Sequence, residues 1–262
     1  MYDEHLNRIS NRPGESLQVK LVKGIFDKFL DIVVDLNYKS GSKFELKGKQ
    51  LLEVGCGSGR LLPIVVDKGL HYSSFEPTES MRKALLDTAD RKSILLDSFE
   101  VINESLPDIP LVYFDKFDFG VALHVIEHAP NQYEAYKWIQ SFSRCINVGG
   151  YFLIVTPYYP DYSWRFYDVD WSHGFPTTLN NLVEILEDLG LEVKYAKTIR
   201  GWTSSRIIGA AYWMFLKISP TGFLDFLCEK LFRQKLLYSG LLAGFVRRNT
   251  FIVVQKVKVH PE

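Results

Sequence analysis

The sequence predicts an α/β fold, one large sheet with helices on both faces, and three observations predict it. A short apolar run, Leu51 to Val54, breaks into glycines at 55, 57 and 59, and helical spacing resumes through Leu61, Leu62, Ile64, Val65 and Val66. An acid, Glu76, follows the second short apolar run, Tyr72 to Phe75. Short apolar runs then keep alternating with amphipathic segments along the chain, the pattern of strands joined by helical crossovers. With 262 residues, 47% hydrophobic and 24% charged, the chain suits one large domain carrying an insertion or cap.

A strand, a glycine turn and a helix let the polar end of a cofactor approach bare backbone. A carboxylate after the next strand can accept both ribose hydroxyls of a nucleoside. The dinucleotide fingerprint needs a third small residue where this chain has Arg60, which opposes a nicotinamide dehydrogenase. No Lys-Ser/Thr follows the glycines, so a P-loop is excluded. The arrangement Glu53-x-Gly55-x-Gly57-x-Gly59 instead resembles motif I of the class I S-adenosylmethionine-dependent methyltransferases. The resemblance implies a Rossmann-like seven-stranded methyltransferase sheet and S-adenosylmethionine as cofactor. It assigns cofactor contacts to Glu53, Gly55, Cys56, Gly57, Gly59, Glu76 and Pro77.

Taken in order, residues 1–20 read as a polar arm or short lid helix. Apolar residues at helical spacing from Leu21 to Val33 predict the helix before the first strand. Lys68-Gly69 closes the helix after the glycine loop. Pro77-Thr78 opens the next helix, with Met81, Ala84 and Leu85 on one face. Ser93 to Asp97 reads as strand three, and the resemblance gives Asp97 and Ser98, at its end, the adenine amino group. Phe117 to His124 reads as strand four, followed by Val125-Ile126-Glu127-His128. That stretch resembles the fourth-strand motif of small-molecule methyltransferases and adds Leu123 and His124 to the cofactor set. A helix from Ala135 to Cys145 is expected to stop at Val148-Gly149-Gly150, with Tyr151 to Thr156 as strand five. Thr177-Thr178 caps a helix through Leu189, Leu191 to Ile199 is strand six, and Thr250 to Val257 is the final strand, which in this family enters antiparallel.

Residues 157–176 are rich in aromatic side chains and also hold Asp161, Asp168, Asp170 and His173. One reading is a loop packed on its own domain. The other is an aromatic wall for a sugar or another planar acceptor, with acids for its hydroxyls. A hydroxyl acceptor needs a base, and His is the usual one near neutral pH. His173, His128 and His124 are the candidates, with His128 equally suited to bracing its helix. His124, Glu127 and His128 could mimic a metal cluster, but the spacing is too generic to assign zinc, so the adopted reading has no metal and keeps one only as an alternative.

The resulting division is an N-terminal arm and helix (1–44), a methyltransferase core (45–203), a helical insertion or cap (204–248) and the last core strand (249–262). The insertion combines apolar-aromatic residues with Lys and Arg, leaving open a packed cap, a membrane interface, a lipid-linked substrate or a homodimer contact. The 31 basic and 31 acidic residues balance, which argues against nucleic-acid binding. Cys56, Cys145 and Cys228 are odd in number and far apart, fitting a reducing cytoplasm, and the N-terminus has no signal-peptide pattern. The expected function is methylation, at oxygen, of a glycan or other small molecule. The alternatives are a quinone or lipid-like acceptor, or a cofactor-binding scaffold without turnover.

Overall fold

The computed structural model describes residues 15–41, 44–162, 166–200 and 248–257. The arm before residue 15 and nearly all of the insertion expected at 204–248 lie outside the described residues. Seven strands form one sheet in the order β3-β2-β1-β4-β5-β7-β6. They are β1 (Gln50–Val54), β2 (His71–Phe75), β3 (Phe99–Ile102), β4 (Phe117–Leu123), β5 (Ile146–Pro157), β6 (Glu192–Arg200) and β7 (Arg248–Gln255). The first five pair in parallel, and β7 runs antiparallel between β5 and β6.

Alternation along the central strands makes two cores. Leu51, Val121, Leu153, Val155 and Val253 face one side; Leu52, Val54, Ala122, Ile154 and Ile252 face the other. Both faces are covered, which is why these strands read as continuous apolar runs. On the first face lie α1 (Glu15–Lys39), α2 (Leu62–Asp67) and α3 (Glu79–Arg91), with Phe26, Phe29, Val33, Leu62 and Leu85 fully buried. On the second lie α4 (Gln132–Cys145) and α7 (Leu179–Asp188), after the short turns α5 (Tyr159–Tyr162) and α6 (Phe166–Val169). The starts of α4 and α7 are set by side chains that accept orphan amides: Asn131 from Glu134 N at 3.0 Å and Thr178 from Asn181 N at 3.2 Å.

Two element readings are corrected by the structure, beyond end shifts of one to three residues elsewhere. Strand three is Phe99–Ile102, and Leu96–Ser98 is a 3-10 turn before it. The helix α4 ends at Cys145, and Gly149-Gly150 lies inside β5, not at a helix stop. Gly149 has φ 86°, and the β4–β5 register shifts there, so the glycines form an irregularity that lets β5 start early against Phe117. The far end of β7 is fastened by Lys256, fully buried, whose Nζ donates to Asp115 Oδ1 and Ile146 O, each at 2.8 Å. Among the described residues no helix is long and apolar enough to cross a membrane.

Candidate active site

The glycine loop joins β1 to α2 at the carboxyl edge of the sheet. Gly55, Gly57 and Gly59 all take left-handed backbone, with φ of 69°, 51° and 72°. Two of them are also required by packing. A Cβ on Gly55 would stand 2.8 Å from Val125 Cγ2, and one on Gly59 would stand 3.0 Å from Leu85 Cα. At Gly57 a Cβ would meet nothing within 4 Å, so the middle of the loop faces open space. That is the backbone surface a cofactor's polar end can approach.

Glu76 follows β2 and is buried beside this loop. Its Oε1 accepts from Thr78 N at 3.0 Å, and the Gly57 amide also donates to the carboxylate. Burial raises its pKa, while these hydrogen bonds pull the other way. Cys56 Sγ lies 3.9 Å from Glu76 Oε2, and burial pushes its thiol pKa up well above the ordinary value. Glu53 sits one layer deeper in β1, where the Tyr72 hydroxyl donates to its Oε2. Burial pushes the Glu53 carboxyl up to about 8, against the Tyr72 hydrogen bond. Glu53 is therefore a buried brace under the loop.

Arg82 ties the neighbouring strand tips together, a role no motif signalled. Its Nη1 lies 2.9 Å from Glu76 O, 2.7 Å from Pro77 O and 2.8 Å from Asn103 Oδ1. The amide of Glu76 meanwhile donates to Ile102 O at 3.0 Å. These contacts correct the reading of strand three. Asp97 and Ser98 precede β3 and so lie at the edge of the sheet opposite the glycine loop. The residue at the β3 tip is Asn103.

At the tip of β4, Leu123 is half-buried and His124 has φ 57°, a conformation strained for a residue with a Cβ. The turn is held by His124 N donating to Val155 O at 2.8 Å. His124 Nδ1 lies 3.1 Å from Glu127 Oε1, and Glu127 is 1% exposed. Burial would raise the Glu127 carboxyl, but the His124 hydrogen bond and the imidazoles of His124, His128 and His173 outweigh it and hold it below the usual range. His128 Nδ1 lies 2.9 Å from Ser172 Oγ, and the His128 and His173 rings are 5.0 Å apart. His173 is buried, with Nδ1 2.8 Å from Phe166 O, and burial is the main cause of its lowered pKa. The structure thus gathers His124, Glu127, His128 and His173 into one cluster, although His173 comes from a different loop. One donor atom each from Glu127, His128 and His173 lies within 4.8 Å of the others.

The aromatic loop divides. Phe166 and Phe175 are buried, whereas Tyr167 and Trp171 are exposed, so only part of it can face a ligand. Trp164 lies outside the described residues. Of the acids, Asp161 is engaged by Arg248, with Arg248 Nη2 to Oδ1 at 2.7 Å and Nε to Oδ2 at 2.9 Å. Asp170 Oδ1 accepts from Ser172 Oγ at 2.6 Å and from Ser172 N at 2.9 Å. These two acids shape the loop instead of standing free for hydroxyl groups.

Five parallel strands with an antiparallel seventh inserted before the sixth, a glycine loop after β1 and an acid after β2 define the fold of the class I S-adenosylmethionine-dependent methyltransferases. Residues 32–196, more than half of the chain, match the methyltransferase-domain family, and the chain belongs to it. It is 23% identical over 224 residues to the ubiquinone biosynthesis O-methyltransferase of Rickettsia typhi, covering 79% of this chain and 86% of that one. A methyltransferase from Bacillus halodurans C-125 superposes with a TM-score of 0.56 at 16% identity, over 82% of this chain and 95% of that one. The magnesium protoporphyrin IX methyltransferase of Synechocystis PCC 6803, solved with bound S-adenosylmethionine, gives a TM-score of 0.54 at 15% identity, over 91% and 81%.

Proposed function

We propose that this methyltransferase transfers a methyl group from S-adenosylmethionine to a hydroxyl oxygen of a small, ring-bearing acceptor, of the phenolic or quinone-precursor type. The cofactor assignment is supported by the loop itself. Gly57 leaves room over bare backbone, and Glu76 presents a buried, partly satisfied carboxylate suited to ribose hydroxyls. Asn103, held by Arg82 at the β3 tip, replaces Asp97 and Ser98 as the group for the adenine edge. Bound in this way, the cofactor supplies an electrophilic methyl on a sulfonium sulfur. The remaining work of the protein is to hold the acceptor oxygen in line and to manage its proton, and orientation alone can contribute roughly 7–11 kcal/mol.

The observation that carries the choice of oxygen is the buried Glu127 with three imidazoles at the β4 tip. A carboxylate–imidazole group beside the glycine loop suits removal of a hydroxyl proton. A phenolic acceptor is favoured over a sugar because Asp161 and Asp170 are already engaged, while Tyr167 and Trp171 offer exposed aromatic surface. The name of the Rickettsia typhi relative points the same way. The test is methyl transfer from methyl-labelled cofactor to paired catechol and hexose acceptors. Label on a ring oxygen of the catechol supports the proposal. Transfer to the hexose alone, or to nitrogen or carbon, refutes it.

A further inference from the structure

We propose that Glu127, His128 and His173 form a binding site for a divalent transition-metal ion of the zinc type. Hydrogen bonds leave the Nδ1 atoms of both His128 and His173 as donors. Phe166 O can only accept, so His173 Nδ1 carries the proton that it donates across 2.8 Å. Ser172 Oγ donates its one hydrogen to Asp170 Oδ1 at 2.6 Å, so at its 2.9 Å contact with His128 it must accept, and His128 Nδ1 is the donor. In its neutral form each imidazole therefore carries the lone pair on Nε2. Orientation of a ligating His by a carbonyl or carboxylate on its far nitrogen is the support that metal-binding imidazoles normally have.

The third donor is left open in the same way. Glu127 Oε1 is taken by His124 at 3.1 Å, but Glu127 Oε2 is buried and has no hydrogen-bond partner. A buried carboxylate oxygen without a partner is costly, and a cation removes that cost. The three donor atoms already lie within 4.8 Å of one another. Ligands about 2.1 Å from a zinc ion sit roughly 3.4 Å apart, so small side-chain rotations complete the site. Two imidazoles and one carboxylate favour zinc or a neighbouring transition ion over magnesium or calcium, which prefer all-oxygen shells.

The loop is built to bring His173 there. The amides of Gly174 and Phe175 both donate to Glu127 O, at 2.9 and 3.0 Å. Three protein ligands leave an open position, as in catalytic rather than structural zinc sites. For its catalytic consequence this proposal rests on the hydroxyl-acceptor reading. An acceptor hydroxyl entering the open position would be acidified by the ion and pass its proton to His124, which lies beside Glu127 but outside the ligand set. Its oxygen would keep the electron pair to take the methyl group. Ion binding itself does not depend on that reading.

The test uses the untagged full chain, stripped with a chelator and titrated with cobalt(II) as a spectroscopic probe and with zinc(II) by calorimetry. One ion per chain, with the visible absorption of four- or five-coordinate cobalt, is expected. Ser172→Ala, which removes the hydroxyl that orients His128 together with its hydrogen bond to Asp170, should weaken binding about 10- to 100-fold. Glu127→Gln and His173→Gln should abolish the cobalt spectrum. Retained S-adenosylhomocysteine binding would show that these variants are folded. Absence of stoichiometric binding in the native chain, or unchanged binding in folded Glu127→Gln and His173→Gln, would overturn the site. Ion binding without methyl transfer to any hydroxyl would retain the site and reject the acceptor reading instead.

Discussion

Gly174 packs so tightly on Ala129 that a Cβ at position 174 would stand 2.4 Å from the Ala129 carbonyl oxygen. That contact is with backbone, which cannot rotate away. Gly174→Ala must therefore lift the 170–175 loop off the turn at 126–128, at a cost of roughly 1–3 kcal/mol. Thermal melts should fall by several degrees. Turnover should drop far more than affinity for S-adenosylhomocysteine, because the glycine loop is untouched. Equal loss of both, measured by kinetics and calorimetry, would contradict the coupling.

The burial of Glu53, opposed by its hydrogen bond from Tyr72, makes stability fall as pH rises. The Glu53 carboxyl is raised from 4.5 to about 8 by burial, so the folded chain holds this proton more tightly than the unfolded chain. Its stabilising contribution is complete below about pH 4.5 and is lost as pH rises through about 8. Denaturant melts between pH 5 and 8.5 should show stability declining from this source. Glu53→Gln should flatten the decline. An identical slope in the variant would assign the effect elsewhere.

Cofactor affinity should follow the ionisation of Glu76. Because burial raises this carboxyl, affinity for S-adenosylhomocysteine should weaken as pH falls, beginning above the range where an exposed Glu titrates. Glu76→Gln should lower affinity about 10- to 100-fold and remove that pH dependence, as read by calorimetry. Arg82→Ala should also weaken binding, through the loosened strand tips. An Arg82 variant with full affinity would separate the clamp from the site.

Lys256 should matter to stability and not to chemistry. Its removal leaves the Ile146 carbonyl without this donor and breaks a contact with Asp115. Lys256→Ala should cost roughly 3 kcal/mol in denaturant unfolding and leave cofactor affinity unchanged. A loss of affinity comparable to the loss of stability would contradict this.

Most of the fold was legible because each central strand is buried on both faces and each helix carries one apolar stripe. Strand three was misplaced for a physical reason. Leu95 and Leu96 look like strand core yet are 71% and 76% exposed in a turn. The true strand, Phe99-Glu100-Val101-Ile102, is only four residues long, carries the exposed Glu100 and lies at the sheet's edge. Gly149-Gly150 misled in the same way, since glycines that end a helix also permit an irregular strand. Within the site, the glycine loop and Glu76 were readable as local spacing. The joining of His128 to Ser172 and of Glu127 to Gly174 was not, because those contacts close between segments more than 40 residues apart. Nor was Arg82, whose three partners on two strand tips leave no pattern in the chain.

The antiparallel entry of β7 fixes where the intervening chain must begin and end. Arg200 pairs with Arg248, and Asn249 pairs with Pro157 at the end of β5. Residues 201–247 thus depart from and rejoin the sheet at adjacent positions, beside the start of the aromatic loop. With both exits anchored by strand pairing and by the Arg248–Asp161 bridge, that stretch can change length or composition without disturbing the register of the sheet. Because β4 and β5 stand between β7 and β1, such a junction keeps changes at the β6–β7 connection away from the glycine loop and Glu76.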